Sequence, residues 1–313
     1  MAYPFAMRIG LTGGASSVDK LVAQAQEAEA DGFSSLWYAS LVQGDPLVAM
    51  AIAGRATTRL ELGTAVLQTY PCHPLLQANR ATSVVAAMDR PGFTLGIGPS
   101  HESLVRGVLG MSYDKPGQNT EEYVRILTSA LRGEDVDLSG EQWSAHTHGR
   151  AVPPPHPVPV LVAALGPRLL RVAGEQADGV VLWMAPPRAI ETHVVPKLLA
   201  AAGLAGRSAA RVVAGLPVAV HDDQAEARAA VTANSGMYAG MPNYQRILEI
   251  GGADDVASAA IVGDERAVAR QLQGVLDAGA TDIWASIVPV GGDREARGSS
   301  TRRTRDLLRT LVS

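Results

Sequence analysis

His101 is the one titratable side chain that stands immediately beside the end of a predicted β-strand, after Gly98-Pro99-Ser100. An imidazole there could donate a proton to a substrate, or it could hydrogen-bond to a cofactor or to the backbone. The other predicted strand ends are almost free of acids, bases and metal ligands, the lysines fall in helices or loops, and no Gly-x-Ser-x-Gly motif occurs. This pattern favours a bound organic cofactor that carries the chemistry, and it predicts no metal centre.

The segment Ala163–Arg171 reads as a strand end, a Gly-Pro turn and the first turn of a helix. Gly166 would let a ligand approach the backbone, Pro167 fits the first helical turn, and the free amide groups there would face a phosphate. Arg168 and Arg171 could add charge-assisted hydrogen bonds to phosphate or to an acidic tail. An ordinary capped helix with exposed arginines explains the same residues, so this segment alone leaves both interpretations open.

A second stretch with room for a cofactor is Leu62-Gly-Thr-Ala-Val66. Small residues at a strand end would allow a planar ring to lie against the backbone, but they suit tight packing inside a barrel equally well. Tyr38 and Tyr113 could contact a substrate or could pack. For these residues, residue type alone does not distinguish contact with a ligand from packing inside the barrel.

Short apolar runs alternate with amphipathic segments along almost the whole chain, for example a helix predicted at Val18–Ala30 with Ser16 or Ser17 as its N-cap. Strands and helices that follow one another in this way predict an α/β fold, a closed (β/α)8 TIM barrel. An open doubly wound sheet is disfavoured because no Gly-x-Gly-x-x-Gly follows the first strand. The predicted strands are Arg8–Leu11, Ser35–Tyr38, Leu60–Val66, Phe93–Ile97, Val160–Ala163, Gly179–Met184, Val212–Val220 and Asp282–Val288.

Residues 1–313 are expected to form a single TIM-barrel domain with insertions at roughly residues 111–159 and 235–256. Both stretches contain Gly or Pro interruptions and follow a barrel strand, the usual place for loops that cover a substrate. The first includes a helix predicted over Thr120–Leu131 and a proline cluster at Pro153–Pro159.

The composition excludes several classes of protein. A formal net charge of −4 provides no basic field for nucleic acid, and 47% hydrophobic residues suffice for a large core. The single cysteine, Cys72, excludes an internal disulfide and suits a reducing compartment. The N-terminal residues do not resemble a signal peptide, and no apolar run of about 18 residues occurs, so a soluble cytoplasmic protein is expected.

Several short motifs occur in an order and spacing that resembles the luciferase-like monooxygenase superfamily, over nearly the whole chain. The pair Gly98-Pro-Ser-His101 and Ala163-Ala-Leu-Gly-Pro-Arg168 is similar to members that are taken to use coenzyme F420, a deazaflavin. The sugar-phosphate dehydrogenase branch has Asp-His where this chain has Ser40-Leu41, so neither that substrate nor that acid–base scheme is expected here. The other matching motifs are Gly32-Phe-Ser-Ser-Leu-Trp37, Leu62-Gly-Thr-Ala-Val66, Tyr70-Pro71, His73-Pro74, Gly110-Met-Ser-Tyr-Asp114, Ala173-Gly-Glu-Gln-Ala-Asp-Gly179 and Gly279-Ala-Thr-Asp282.

The resemblance implies a non-prolyl cis peptide at Ala65–Val66, in a bulge of the third strand that backs the flavin ring. It also implies phosphate contacts from the Gly166 turn, and a lining of the ring and its ribityl chain by the residues that follow the fourth strand. The cofactor-binding residues expected on this basis are Ser40, Thr64, Ala65, Val66, Pro99, Ser100, His101, Ala164, Leu165, Gly166, Pro167 and Arg168.

The activity implied by the resemblance is that of an F420-dependent oxidoreductase, which transfers a hydride between the deazaflavin and a small organic substrate and favours reduction. His101 is the candidate proton donor, and hydrogen bonding to the ribityl chain or the backbone is its competing role. The alternatives are a monooxygenase that uses flavin mononucleotide (FMN), a flavin-binding barrel without turnover, and a cofactor-free isomerase or lyase. Family members are often dimers, so a homodimer without nucleic-acid or membrane partners is expected.

Overall fold

The computed structural model describes residues 6–14, 17–39, 44–207 and 210–312. The strands are β1 (Ile9–Thr12), β2 (Ser35–Tyr38), β3 (Glu61–Thr64), β4 (Leu67–Gln68), β5 (Phe93–Gly98), β6 (Asp137–Ser139), β7 (Ser144–His146), β8 (Val160–Ala163), β9 (Gly179–Trp183), β10 (Arg211–Val220), β11 (Ile261–Gly263) and β12 (Asp282–Ile287). The helices are α1 (Val18–Ala30), α2 (Pro46–Arg55), α3 (Pro74–Met88), α4 (Glu102–Gly107), α5 (Pro116–Leu131), α6 (Pro167–Gln176), α7 (Pro187–Ala189), α8 (Val195–Leu204), α9 (Gln224–Ser235), α10 (Pro242–Gly251), α11 (Glu265–Asp277) and α12 (Arg294–Val312). A π-helical turn (Ile190–Val194) joins α7 to α8, and a 3-10 turn (Gly236–Tyr238) follows α9.

Eight parallel strands close into a barrel in the order β1, β2, β3, β5, β8, β9, β10, β12 and back to β1. β12 closes the ring because it pairs with β10 on one side and with β1 on the other. The predicted (β/α)8 barrel is therefore confirmed, and the open doubly wound sheet is wrong. The predicted helix Val18–Ala30 is also confirmed; Ser17 is its N-cap, while Ser16 lies outside the described residues.

The third barrel strand is shorter than the sequence predicts and ends in a bulge. β3 stops at Thr64, and after the bulge the chain rejoins the barrel as β4, which pairs with β5. Two glycines of β5 leave space for the bulge: a Cβ on Gly96 would lie 1.9 Å from the carbonyl oxygen of Thr64, and one on Gly98 would lie 3.2 Å from Val66 Cγ2. The predicted strand therefore includes two residues, Ala65 and Val66, that lie in the bulge and do not continue the strand.

Large rings opposite glycines fill the interior of the barrel. A Cβ on Gly63 would lie 2.3 Å from Cζ3 of the fully buried Trp37, and a Cβ on Gly215 would lie 2.2 Å from Cε3 of Trp284. The indole of Trp284 also donates to the hydroxyl of Thr12 at 2.8 Å. This pairing explains why glycines stand inside strands, where they otherwise weaken β-structure.

A network of charges ties opposite sides of the barrel together at its amino-terminal end. Arg211 of β10 donates to Glu61 of β3 at 2.6 and 3.0 Å and to Asp282 of β12 at 2.8 and 2.9 Å. Arg8 reaches the same two carboxylates, at 3.2 and 2.7 Å. Burial alone would raise the pKa of Asp282, but hydrogen bonds from Arg211, Thr281 and Arg8 lower it, so this carboxylate stays charged.

The first predicted insertion contains an ordinary helix of the barrel as well as added structure. α5 packs between α3 and α6 in the outer helix layer, and it begins at Pro116 rather than at Thr120. The added part is the antiparallel hairpin β6–β7, whose turn donates backbone hydrogen bonds from Gln142 and Trp143 to Glu122 of α5, each at 2.8 Å. The turn of the hairpin therefore packs against α5.

The second predicted insertion adds the 3-10 turn and α10, and these lie over part of the barrel mouth. Tyr238, Tyr244 and Leu248 form an apolar cluster with Trp183 and Met184 at the carboxyl end of β9. In the described part of the chain, no helix has both the length and the apolar character needed to cross a bilayer. The single-domain organisation stays a prediction.

Candidate functional site

The carboxyl ends of three adjacent strands, β3, β5 and β8, bring most of the predicted cofactor-binding residues together. β5 pairs with β3 on one side and with β8 on the other. Val66 packs against Gly98, where a Cβ would lie 2.8 Å from the Cβ of Ala163 at the end of β8. Gly166 follows three residues later, so the bulge and the Gly-Pro turn share one side of the barrel mouth.

The bulge offers a small apolar surface at this mouth. The peptide bond between Ala65 and Val66 is cis, at the position that the resemblance implied. Both side chains are half-buried and pack against the tryptophans of the barrel interior. The hydroxyl of Thr64 donates to the carbonyl of Gly96 at 2.7 Å and accepts from its N–H at 2.8 Å, so this buried side chain fastens β3 to β5. Ala65 and Val66 are left to face a ligand.

The loop after β5 is held in place by a tyrosine. Pro99, Ser100 and His101 are all half-buried at the mouth. Ser100 has a left-handed backbone, with φ of 63°, and its carbonyl accepts a hydrogen bond of 2.8 Å from the hydroxyl of Tyr113. Tyr113 therefore positions this loop.

His101 lies against the aromatic residues of the second insertion. Its ring centroid is 6.1 Å from that of Tyr238 and 6.1 Å from that of Tyr244. Burial lowers the pKa of His101 below 6.5, so the imidazole is predominantly uncharged at neutral pH. A neutral imidazole forms hydrogen bonds but is a poor proton donor. The lowered pKa therefore favours hydrogen bonding to a cofactor or to the backbone, and proton donation to a substrate stays a prediction.

Tyr38 ends β2 at the same end of the barrel, and its side chain is buried in the core. The ring lies against Gly13, where a Cβ would be 2.4 Å from Cε1 of the tyrosine. The hydroxyl is buried and has no hydrogen-bond partner within the described residues. Burial raises the pKa of Tyr38, so the group stays protonated. Ser40, two residues further on, lies outside the described ranges.

The Gly-Pro turn has the form of an anion site. Gly166 is the extended N-cap of α6, Pro167 occupies the first turn, and the preceding Ala164 is buried under the turn. The first amide groups of a helix have no partner within it, and the helix dipole places partial positive charge there. A phosphate at this turn would accept hydrogen bonds from these amides.

Arg246 of α10 reaches this turn, and no pattern in the sequence pointed to it. Its guanidinium Nη2 lies 3.4 Å from the position of a Cβ on Gly166. The carbonyl of Leu165 accepts from His193 Nε2 at 3.0 Å, which holds the turn from its other side. Burial lowers the pKa of His193; the hydrogen bond to Leu165 opposes this effect, and the positive charges of Lys197 and Arg246 add to the lowering. The turn therefore lies in a positive electrostatic environment that suits a phosphate.

Arg168 and Arg171 join α6 to α5. Arg168 donates to Glu121 at 2.8 and 3.0 Å, and Arg171 donates to the same carboxylate at 2.8 Å. Arg171 also pairs with Glu175 at 2.6 Å. For these two guanidinium groups the structure favours the capped-helix interpretation, and Arg168 is left to contribute its backbone amide at the turn.

Comparisons with known proteins agree with this geometry. The model of the luciferase-like monooxygenase family matches residues 2–304. The chain is 30% identical over 284 residues to an F420-dependent hydroxymycolic acid dehydrogenase of Mycobacterium tuberculosis (strain ATCC 25618 / H37Rv), a match that covers 84% of this chain and 77% of that protein. Among solved structures it is similar to the coenzyme F420-dependent tetrahydromethanopterin reductase from Methanopyrus kandleri, with a TM-score of 0.75, 21% identity and coverage of 96% of this chain and 98% of that one.

It is also similar to the oxygenating constituent of 3,6-diketocamphane monooxygenase from the CAM plasmid of Pseudomonas putida, a type II Baeyer-Villiger monooxygenase in complex with FMN. That match has a TM-score of 0.72, 17% identity and coverage of 98% of both chains. At these identities the two structures show the fold alone, whereas the family model spans nearly the whole sequence. The chain therefore belongs to the luciferase-like monooxygenase family.

Proposed function

We propose that this protein is an F420-dependent oxidoreductase that transfers a hydride between the deazaflavin coenzyme and a small organic substrate, and that it works as a reductase. The observation that carries the proposal is the shared barrel mouth, where the apolar bulge at Ala65–Val66 lies beside a helix N-terminus flanked by Arg246. The F420-dependent hydroxymycolic acid dehydrogenase named above supports the choice of coenzyme.

The residues at the mouth fit such a coenzyme in shape and charge. Gly166 leaves open the space that a side chain would fill, because the nearest atom to a Cβ there is Arg246 Nη2 at 3.4 Å. The first-turn amides and Arg246 would hold a phosphate. Ala65 and Val66 would back the ring, and the loop that begins with Pro99 would line one edge of it.

When bound, the deazaflavin ring supplies the hydride chemistry, because it has carbon where a flavin has N5 and reacts poorly with oxygen. The task of the protein is to hold a substrate over the ring and to exclude water. The neutral imidazole of His101 would donate a hydrogen bond to a substrate oxygen at this mouth. Proton donation by His101 is proposed only as its second role, because burial disfavours the imidazolium that would donate the proton.

An FMN-dependent monooxygenase is the second candidate, because the Pseudomonas putida monooxygenase has the same fold and is in complex with FMN. The anion turn and the apolar bulge would suit FMN as well, since both cofactors carry a phosphate and a flat tricyclic ring. A flavin-binding barrel without turnover is the third candidate. Binding and turnover measurements separate the three.

The deciding experiment is a titration of the purified protein with F420 and with FMN, followed by tryptophan fluorescence. The rings of Trp183 and Trp284 lie 5.0 Å apart at the mouth, so a bound ring should quench them. We expect saturation at a lower concentration of F420 than of FMN, and hydride exchange between F420 and an activated C=C, C=N or C=O compound. Preferential binding of FMN would support the monooxygenase, binding without any exchange would support the inactive barrel, and no binding of either would defeat the cofactor assignment.

A homodimer is proposed from the family alone. Light scattering on the purified chain would measure the mass of the particle in solution, and a monomer at micromolar concentration would contradict the proposal.

A further inference from the structure

Three half-buried rings from separate parts of the chain meet at the barrel mouth. Trp183 ends β9, Tyr238 ends the 3-10 turn of the second insertion, and His101 directly precedes α4. The ring centroid of Tyr238 lies 6.1 Å from that of His101 and 6.2 Å from that of Trp183. We refer to His101, Trp183 and Tyr238 as the aromatic wall.

Two buried rings hold the aromatic wall in place. Tyr244, which is 8% exposed, packs against Tyr238 with the ring centroids 4.9 Å apart. Trp284, which is 7% exposed, packs against Trp183 with the centroids 5.0 Å apart. Rings that are already packed on other rings lose little further freedom when a ligand binds to them. The wall is therefore an ordered surface before any ligand arrives.

The aromatic wall borders both parts of the proposed coenzyme site. Trp183 packs in the same apolar cluster as Ala65 and Val66 of the bulge. Trp183 and Tyr238 also pack against the cluster that Leu165 of the Gly-Pro turn contacts. A substrate that lies over a ring held at the bulge would therefore contact the wall.

The aromatic wall carries no formal charge at neutral pH. Burial lowers the pKa of His101; burial raises the pKa of Tyr238, and the indole of Trp183 opposes that rise. No acidic or basic side chain of the described residues contributes to either pKa shift. The cations that lie over aromatic rings in the described ranges contact other rings, those of Trp37 and Phe33. A charged ligand would therefore lose its hydration at the wall and gain no counter-ion there.

We propose that the aromatic wall binds the ring of an uncharged aromatic substrate, which carries its reducible bond beside that ring; this rests on the hydride transfer proposed above. The substrate ring would pack on Tyr238 and Trp183, and its carbonyl oxygen would accept a hydrogen bond from His101. In an enone, the β-carbon gains the hydride, the C=C electron pair moves toward the carbonyl, and a proton from water completes the saturated ketone. The substrate thus gains the two electrons that the reduced coenzyme loses.

The first test compares enones that have the same reacting group and different substituents. The purified protein with reduced F420 is given benzylideneacetone, its para-carboxy derivative, or ethylideneacetone, in which a methyl group replaces the phenyl ring. Oxidation of F420 is followed by absorbance. We expect kcat/KM for benzylideneacetone to be about tenfold higher than for either of the other two, because one lacks the ring and the other carries a charge.

The second test measures binding without turnover, by calorimetry with the saturated ketone benzylacetone and no coenzyme. Tyr238→Leu should weaken this binding about fivefold, because a ring contact is lost. Tyr238→Phe keeps the ring and should bind benzylacetone like the wild type. Met237→Ala is the matched control, because Met237 belongs to the same 3-10 turn but its side chain is 67% exposed. Circular dichroism would show that each variant is folded.

The two tests separate the aromatic wall from the proposed function. If no enone accepts a hydride while benzylacetone binds and Tyr238→Leu weakens that binding, the substrate site is supported and the F420-dependent reduction fails. Equal kcat/KM values for the three enones, or an unchanged affinity for benzylacetone in Tyr238→Leu, would overturn the proposal and leave hydride transfer intact. An equal loss of affinity for F420 and for benzylacetone in Tyr238→Leu would also overturn it, because the wall would then bind the coenzyme.

Discussion

At the scale of single residues, the arginines near the proposed phosphate site differ in where their guanidinium groups lie. Arg168 stands two residues after Gly166 in the sequence, but its guanidinium is held by Glu121. Arg246 is far from Gly166 in the sequence, yet its guanidinium lies at the turn. The positive charge available to a phosphate therefore comes from α10.

Arg246→Gln should weaken the binding of F420 and FMN about tenfold, because a charge-assisted hydrogen bond to the phosphate is removed while the turn keeps its backbone. The affinity for riboflavin, which has the flavin ring without a phosphate, should stay near the wild-type value. Fluorescence titration measures all three. Arg168→Gln is the control and should bind FMN like the wild type; an equal loss in both variants would show that Arg246 has no special role.

The stability of the protein should fall as pH decreases from 7.5 to 5.5, in part through His101. Burial holds the pKa of His101 in the folded state below its ordinary value of 6.5. Between the folded-state pKa and 6.5, the unfolded chain therefore binds more protons than the folded one. The contribution is present above pH 6.5 and is lost as pH falls through the folded pKa. His101→Gln should therefore show a smaller decrease of Tm over this range, measured by thermal unfolding. The buried His193, whose pKa is also lowered, should keep part of the dependence; a decrease as large as that of the wild type would contradict the argument.

At the scale of elements, the mouth depends on how closely β3 approaches β5. The ladder between these strands ends where the bulge begins, and beyond it the contact passes through Thr64 and two glycines of β5. Gly96 is the tighter of the two, because a Cβ there would lie 1.9 Å from a backbone oxygen, which no side-chain rotation can relieve.

Gly96→Ala should lower the free energy of unfolding by about 2 kcal/mol or more, as overpacking in a well-filled core does. It should also weaken cofactor binding, because the bulge must move. Gly274→Ala makes the same chemical change inside α11, where a Cβ has open space, and should stabilise the protein by roughly 0.5 kcal/mol. Denaturant unfolding measures both variants. A Gly96→Ala protein as stable as the wild type would mean that the bulge is free to shift.

At the scale of the whole molecule, the barrel has two ends of different character. The mouth is lined by aromatic and small apolar residues, whereas the amino-terminal end carries the ion network of Arg211, Glu61, Asp282 and Arg8. The network joins β3 to β10 and β12 across the barrel. Glu61, Asp282 and Arg211 are shielded from water, unlike the exposed Arg8, so removing Arg211 leaves the buried Asp282 with only Arg8 and Thr281 as partners among the described residues.

Arg211→Met should destabilise the fold by about 3–5 kcal/mol, because it leaves Asp282, which is 2% exposed, without its main partner. The loss should be smaller at low pH, where Asp282 can be protonated. Arg55→Met removes a pair with Asp89 in which both side chains are largely exposed, and should change stability by less than about 1 kcal/mol. Urea unfolding at pH 7 and pH 5 measures these differences. Equal effects of the two substitutions would contradict a structural role for the network.

The sequence by itself determined the barrel, its strands, and the position of the bulge at Ala65–Val66. These follow from local patterns: apolar runs of strand length, amphipathic segments between them, and short motifs whose order is characteristic of one family. It also predicted that Gly166 and Pro167 begin a helix, because the fixed φ of proline and its missing N–H suit the first helical position. The third strand was predicted to end at Val66, because Ala65 and Val66 continue the apolar run, whereas β3 ends at Thr64.

Only the tertiary structure decided which side chains are free to act at the mouth. Arg168 is held by Glu121, Arg246 arrives on a helix that follows seven barrel strands, and the phenol of Tyr38 is buried against Gly13. Each of these depends on a contact between residues distant in the sequence, and residue type and spacing carry no information about such contacts. The physical reason is that burial and pairing are properties of the packed barrel, and together they determine whether a charge or a hydroxyl is available to a ligand.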